Sequence, residues 1–223
     1  MFPLKDSIKA TSFPFLNFLI VGITVYVFIQ QLLAPDQIAF INQYALIPQT
    51  VNFSDYMTLI PFVTSIFLHG GILHILSNMW FLIVFGDNVN TRLSPIGFLL
   101  LYLTAGVVGG LAQYLFMPTD TIPMLGASGA VAGVLGCYAV LFPHAKIKTL
   151  VFIVFFVTII EISALLMLGY WFALQLFSGV GSLGADTSQG GVAYIAHIGG
   201  FIVGLLFGFM NKNKGEEAGI THE

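Results

Sequence analysis

Charge is the first thing this sequence lacks: Asp, Glu, Lys and Arg make up 8% of its 223 residues, against roughly 25% in an ordinary soluble domain. Hydrophobic residues make up 57%, and a water-soluble fold is excluded on that ground. Basic residues are scarce as well, 7 Lys and Arg against 10 Asp and Glu, for a net charge of -3. No basic field is available to hold a phosphate backbone, which removes nucleic acid as a partner. A single cysteine, Cys137, excludes an internal disulfide framework and a multi-cysteine metal site. What remains is an all-α, polytopic membrane protein in a lipid bilayer. A helical crossing of a hydrocarbon core about 30 Å thick takes about 20 residues. The length therefore allows six or seven crossings with short loops and leaves no room for a sizeable soluble domain.

Six apolar runs are present, at about Phe13–Leu33, Ile72–Val89, Pro95–Phe116, Ser128–Phe142, Ile147–Phe177 and Val192–Phe209, each bounded by polar, Pro or Gly residues. The first is too long for the apolar core of a cleaved signal peptide and reads as a retained span. The fourth is short, which predicts a helix that starts below the membrane surface with other helices around it. The fifth, about 31 residues against the 20 or so that a crossing takes, predicts one helix with an interfacial extension. The chain thus divides into an N-terminal segment over 1–12, a six-span domain over 13–210 and a solvated tail over 211–223.

All the basic residues fall in alternate connections: Lys5 and Lys9, Arg92, Lys146 and Lys148, then Lys212 and Lys214. Those segments are cytoplasmic by the positive-inside rule, and both termini with them. The other connections carry Asp36, Asp55, Asp120 and Asp186 and no Lys or Arg. The first of these outer loops, over 34–67, mixes Pro35, Pro48 and Pro61 with Phe40, Tyr44, Phe53 and Tyr56. It fits an amphipathic loop in the membrane interface and a plain connector equally well.

Polar residues inside spans are expensive enough to be functional candidates by default. His74 and Asn78, spaced i, i+4, project from one face near the start of the second span; a hydrogen-bonded pair inside the bundle is the alternative. Ser128 sits in Gly126-Ala127-Ser128-Gly129, where glycines allow close backbone approach and leave N–H groups of a helix N-terminus free to hold an oxyanion. A small packing residue or a cap is the alternative there. His197 precedes Gly200, Gly204 and Gly208, a smooth stripe on the sixth span, and the fourth span offers Gly129, Ala132, Gly133 and Gly136 at matching spacing. Packing of these two faces predicts His197 against Ser128, where a neutral imidazole could take the hydroxyl proton. No acidic residue stands in the outer half of a span to serve as a third member.

At these residues the sequence resembles the rhomboid family of intramembrane serine proteases. The matches are Gly126-Ala127-Ser128-Gly129, His74-x-x-x-Asn78, and Ala196-His197-Ile198-Gly199-Gly200 followed by Gly204, in six spans of the expected order. The resemblance implies that Ser128 attacks the scissile carbonyl and that His197 acts as general base and then general acid. It implies oxyanion stabilisation by His74, Asn78 and the Ser128 N–H, with Gly126, Gly129, Gly200 and Gly204 as supporting motif residues. Substrates would be single-pass transmembrane proteins cut near the outer face, without cofactor or metal. Asn90, where the family often has Glu, puts a loop contact in question. The family also suggests that the fifth span, with Trp171 and Phe172, borders a lateral access route; core or lipid packing explains those aromatics singly.

His69 is expected to orient the loop or the cavity, Glu161 to hydrogen-bond within the bundle or to stand protonated at mid-span, and Cys137 to serve packing. Two other functions compete: a protease-like fold that only captures membrane clients, and a transporter or metal site on His69, His74 and His197. A bacterial inner membrane is the expected location, with an organelle as the alternative; natural substrate, cleavage preference and oligomeric state leave no mark in the sequence.

Overall fold

The chain opens with a short strand, β1 (Phe2–Asp6), before the first long helix, α1 (Phe15–Leu33). This is a computed structural model, which describes residues 2–8, 12–153, 156–182 and 192–212. Lys9, Asp186, Lys214 and nearly all of the expected tail lie outside the described residues. The first outer loop folds into α2 (Gln37–Tyr44), the four-residue α3 (Pro61–Thr64) and short 3-10 turns. Asp36 starts α2 by accepting from the Ala39 N–H at 2.9 Å. The loop is not a free connector, because Leu46 and Met124 exchange backbone hydrogen bonds and Gln49 N–H donates to the Asp120 carbonyl.

Helices α4 (Ile72–Arg92) and α5 (Pro95–Phe116) follow, then α6 (Ser128–Leu141). The break between α4 and α5 is written locally: Pro95 takes the first helical position, and the Ser94 hydroxyl accepts from the Gly97 N–H at 3.1 Å. As the short fourth run predicts, α6 is enclosed: every residue from Gly129 to Leu141 is buried. With α7 (Ala164–Ser182) and α8 (Tyr194–Asn211), five helices are long and apolar enough to cross a membrane, and α6 is a shorter apolar helix among them.

The fifth run departs from expectation. It does not form one helix over Ile147–Phe177; its first half is an antiparallel hairpin, β2 (Lys146–Ile153) and β3 (Phe156–Ser163), and only α7 is helical. β1 joins β2 to complete a three-stranded sheet of order β1-β2-β3, so the all-α reading holds for the bundle and misses this sheet. The stretches Lys146–Ile153 and Phe156–Ser163 are rich in Ile, Val, Thr and Phe, which suit strands. Hydropathy registers such residues without distinguishing the two states. Glu161 is accordingly corrected: it sits half-exposed on β3, opposite Lys148 and 3.9 Å from Lys146 Nζ, not inside the bundle.

The described basic residues gather at one end. Lys5 pairs with Lys148 in the β1/β2 register, and Arg92 Nη2 donates to the Lys212 carbonyl at 3.0 Å. The first turns of α4, α6 and α8 lie at the other.

The bundle is drawn tight where α6 meets α8. A Cβ on Gly200 would run into the Gly129 carbonyl oxygen, and one on Gly204 into that of Gly133. A Cβ on Gly136 would likewise run into the Phe201 carbonyl oxygen. The glycine faces read from the sequence therefore pack on each other, backbone against backbone.

Candidate active site

Ser128 is the first residue of α6, and the preceding Ala127 supplies no side-chain cap. A helix start needs four N–H groups satisfied from outside. Leaving this one without a polar cap keeps amides available at the position where a ligand's oxygen would sit. Gly126 shapes the approach with φ +132, a backbone conformation that other residues adopt only under strain. A Cβ there would also stand 2.8 Å from His74 Cε1, so the loop and the imidazole fit only because this residue has no side chain. The Gly126 N–H itself donates to the Ser65 carbonyl at 2.9 Å, which ties the loop to the segment before α4.

The close packing of α6 and α8 brings the expected pair together. His197, buried on the first turn of α8, has its Nε2 2.8 Å from Ser128 Oγ. Its other nitrogen, Nδ1, lies 2.8 Å from Gln175 Oε1 on α7. The Trp171 ring, one turn earlier on α7, lies 6.0 Å from the imidazole, centroid to centroid. Gln175 was not singled out from the sequence, although a polar side chain within an apolar run, four residues from Trp171, carried the signal.

His74 and Asn78 share one face of α4, as their spacing predicts, and both border the same cavity as Ser128 and His197. This cavity has a volume of about 690 Å³, enough to hold a short stretch of peptide together with water. His74 Nδ1 accepts from the Gly70 N–H at 3.3 Å, which leaves the proton of a neutral ring on Nε2, beside Gly126. Asn78 spends one amide N–H on the His74 carbonyl at 3.1 Å; a second remains by its chemistry. The arrangement offers a hydroxyl, a base and several N–H donors around one cavity.

His69 takes a different position. It is fully buried and does not line the cavity; its Nε2 lies 3.5 Å from the Ala127 N–H, and its ring meets His74 edge-on at 5.0 Å. Gln31 of α1 holds its backbone from both sides, donating to the His69 carbonyl at 2.7 Å and accepting from its N–H at 3.2 Å. The loop-orienting reading fits this placement. Asn90 is buried at the opposite end, where Oδ1 accepts from the Asn17 N–H of α1 at 3.0 Å. Among the described residues, no three His, Cys, Asp or Glu side chains gather as a metal-ligand set.

A model of the Rhomboid domain matches residues 57–214. Rhomboid protein 1, mitochondrial, from Saccharomyces cerevisiae is 34% identical over 200 residues, which cover 87% of this chain and 52% of that protein. RHOMBOID-like protein 4 from Arabidopsis thaliana is 33% identical over 143 residues, 64% of this chain and 32% of that one. Rhomboid protease GluP from Bacillus subtilis is 34% identical over 122 residues, 55% of this chain and 23% of its own. The chain thus spans about half the length of the yeast relative and less of the other two. Mitochondrial and bacterial proteins both stand among the relatives, so likeness alone does not select the expected bacterial membrane.

Proposed function

Because the chain belongs to the rhomboid family, we propose that it is a serine endopeptidase that cuts transmembrane segments of single-pass membrane proteins, near the face of the bilayer on which the cavity lies. The observation that carries this reading is the 2.8 Å contact of Ser128 Oγ with His197 Nε2 at the wall of a cavity lined by N–H donors. The membrane-spanning region is the domain over 13–210, with both termini on the Lys/Arg side, which is the cytoplasm in a bacterial inner membrane.

In this mechanism Nε2 takes the Ser128 proton as Oγ attacks the scissile carbonyl carbon. The carbonyl oxygen gains negative charge, and donors already aimed at that position stabilise it without reorganising. His74 Nε2–H, the second Asn78 N–H and the Ser128 main-chain N–H fill that role. His197 then passes the proton to the leaving amine, which departs as the C–N bond breaks and leaves an ester on Ser128. A water attacks the ester, gives its proton to Nε2, and Ser128 is released with that proton. Gly126, Gly129, Gly200 and Gly204 act by allowing the close backbone approaches that hold these groups. No cofactor takes part. A peptide bond in an intact helix is shielded by its own hydrogen-bonded geometry, so small or helix-breaking residues in the substrate favour cleavage.

Labelling of the detergent-purified protein with a fluorophosphonate probe tests the reading without knowledge of the substrate. The expected result is modification at Ser128 that disappears in His197→Ala. Folded protein that leaves Ser128 unlabelled, while the probe reaches the cavity, would overturn it in favour of client binding without cleavage.

A further inference from the structure

We propose that Gln175 is a positioning residue for the dyad: its amide oxygen keeps the His197 proton on Nδ1, so that the Nε2 lone pair faces the Ser128 hydroxyl. This rests on the dyad reading given above and adds to it a third side chain from a third helix. A neutral imidazole has two tautomers, and only the one protonated on Nδ1 can accept from Ser128. At 2.8 Å from Nδ1, an amide oxygen can accept and cannot donate, so that tautomer alone satisfies the contact. Trp171, on the same face of α7 one turn away, lies against the imidazole at a centroid distance of 6.0 Å and limits its rotation. Tyr194 borders the ring edge-on from its own helix, and His74 is the other titratable group facing it across the cavity. The described neighbours therefore include no carboxylate that could fix the tautomer instead.

An amide differs from a carboxylate in one respect that makes the proposal testable. Turned over, the Gln175 NH₂ would donate to Nδ1, Nε2 would carry the proton, and the dyad would be inert with the same heavy-atom distances. A carboxylate accepts only, so Gln175→Glu removes the inert arrangement, whereas Gln175→Leu removes the preference altogether.

The experiment compares wild type, Gln175→Glu and Gln175→Leu by fluorophosphonate labelling rate and by the ¹⁵N shifts of the His197 imidazole, which separate the two tautomers. The expected result for Gln175→Leu is a fall of about tenfold in the labelling rate at saturating probe, the weight of one hydrogen bond, with an unchanged half-saturating concentration and a ¹⁵N shift toward mixed tautomers. Gln175→Glu should retain the Nδ1–H tautomer and label at least as fast as wild type. Equal labelling in Gln175→Leu, or a fall with the tautomer unchanged, would overturn the proposal. If Gln175→Leu does not fold, Gln175→Glu decides, since a tenfold loss in that variant is equally fatal. Failure of wild-type protein to label at Ser128 strikes the dyad reading itself, and so the two failures are told apart.

Discussion

At the Lys/Arg end of the bundle, the buried Asp6 carboxylate receives Tyr138 Oη at 2.5 Å and Asn88 Nδ2 at 2.7 Å, both on the same oxygen. At the other end, His74, Asn78 and the first turn of α6 present N–H groups to a cavity. The sequence marks the two ends alike, with a few polar residues in apolar helices. The difference lies in where their hydrogen bonds go. Buried polar groups that serve the fold find partners within it, and β1 is held onto the bundle in this way, with Trp80 Nε1 also donating to the Pro3 carbonyl at 2.6 Å. Donors for which the described residues supply no acceptor, beside a nucleophile and a base, cost stability and are kept where chemistry needs them.

The largest effect expected from this contrast is at Ser128 and His197. Ser128→Ala and His197→Ala should each lower cleavage of a transmembrane reporter by at least about 10³-fold. The thermal midpoint should stay close to wild type in Ser128→Ala and fall by about 2–4 °C in His197→Ala, whose buried ring packs against Trp171 and Tyr194. Full cleavage by either variant would end the contrast at its strongest point. Gly126→Ala comes next. The left-handed backbone strains alanine by roughly 1–2 kcal/mol, and the new methyl group presses on His74. Displacing one oxyanion donor typically costs about 10²–10³ in kcat, so a fall of that order is expected, with the probe still bound at its normal concentration.

Tyr138→Phe inverts the pattern. It takes one donor from a buried carboxylate and should destabilise the protein by about 1–3 kcal/mol, measured as a lowered unfolding midpoint, while Ser128 labelling is unchanged. Loss of labelling in folded Tyr138→Phe protein would show that the two ends are coupled.

Much of this was legible in the residues. Span positions agree with α1, α4, α5, α6 and α8 within a few residues, because long apolar runs bounded by Pro, Gly and charge leave little freedom. The Ser128–His197 approach followed from two glycine stripes, since backbones that can meet that closely fix which side chains face each other. Two features escaped. The β2–β3 hairpin shares its hydropathy with a helix, and its β-branched residues were outweighed by the length of the run. Gln175 escaped because its meaning lies wholly in tertiary placement: a glutamine on α7 becomes notable only once α8 turns Nδ1 toward it. Asp6 was hidden for the same reason, as nothing local says that a carboxylate near the N-terminus will be covered by Tyr138 and Asn88.

The smallest expected effect concerns that carboxylate and pH. Burial raises the Asp6 carboxyl above its ordinary range, and the bonds from Tyr138 and Asn88, the backbone and the charge of Lys5 draw it part of the way back. A folded value above the unfolded one means that the folded protein holds this proton more tightly. Its contribution to stability is therefore complete below the ordinary carboxylate value of about 3.9 and is lost as pH rises through the raised folded value. Asp6→Asn cannot titrate and still offers an oxygen to Tyr138 and Asn88. In a series of unfolding midpoints from acid upward, wild type should lose stability relative to Asp6→Asn across that window, and the two curves should run parallel above it. A gap between the curves that closes with rising pH would mean that the Tyr138 and Asn88 hydrogen bonds outweigh burial. In that case Asp6 is held as a paired anion, and the Lys/Arg end would be stabilised by its charge as well as by its hydrogen bonds.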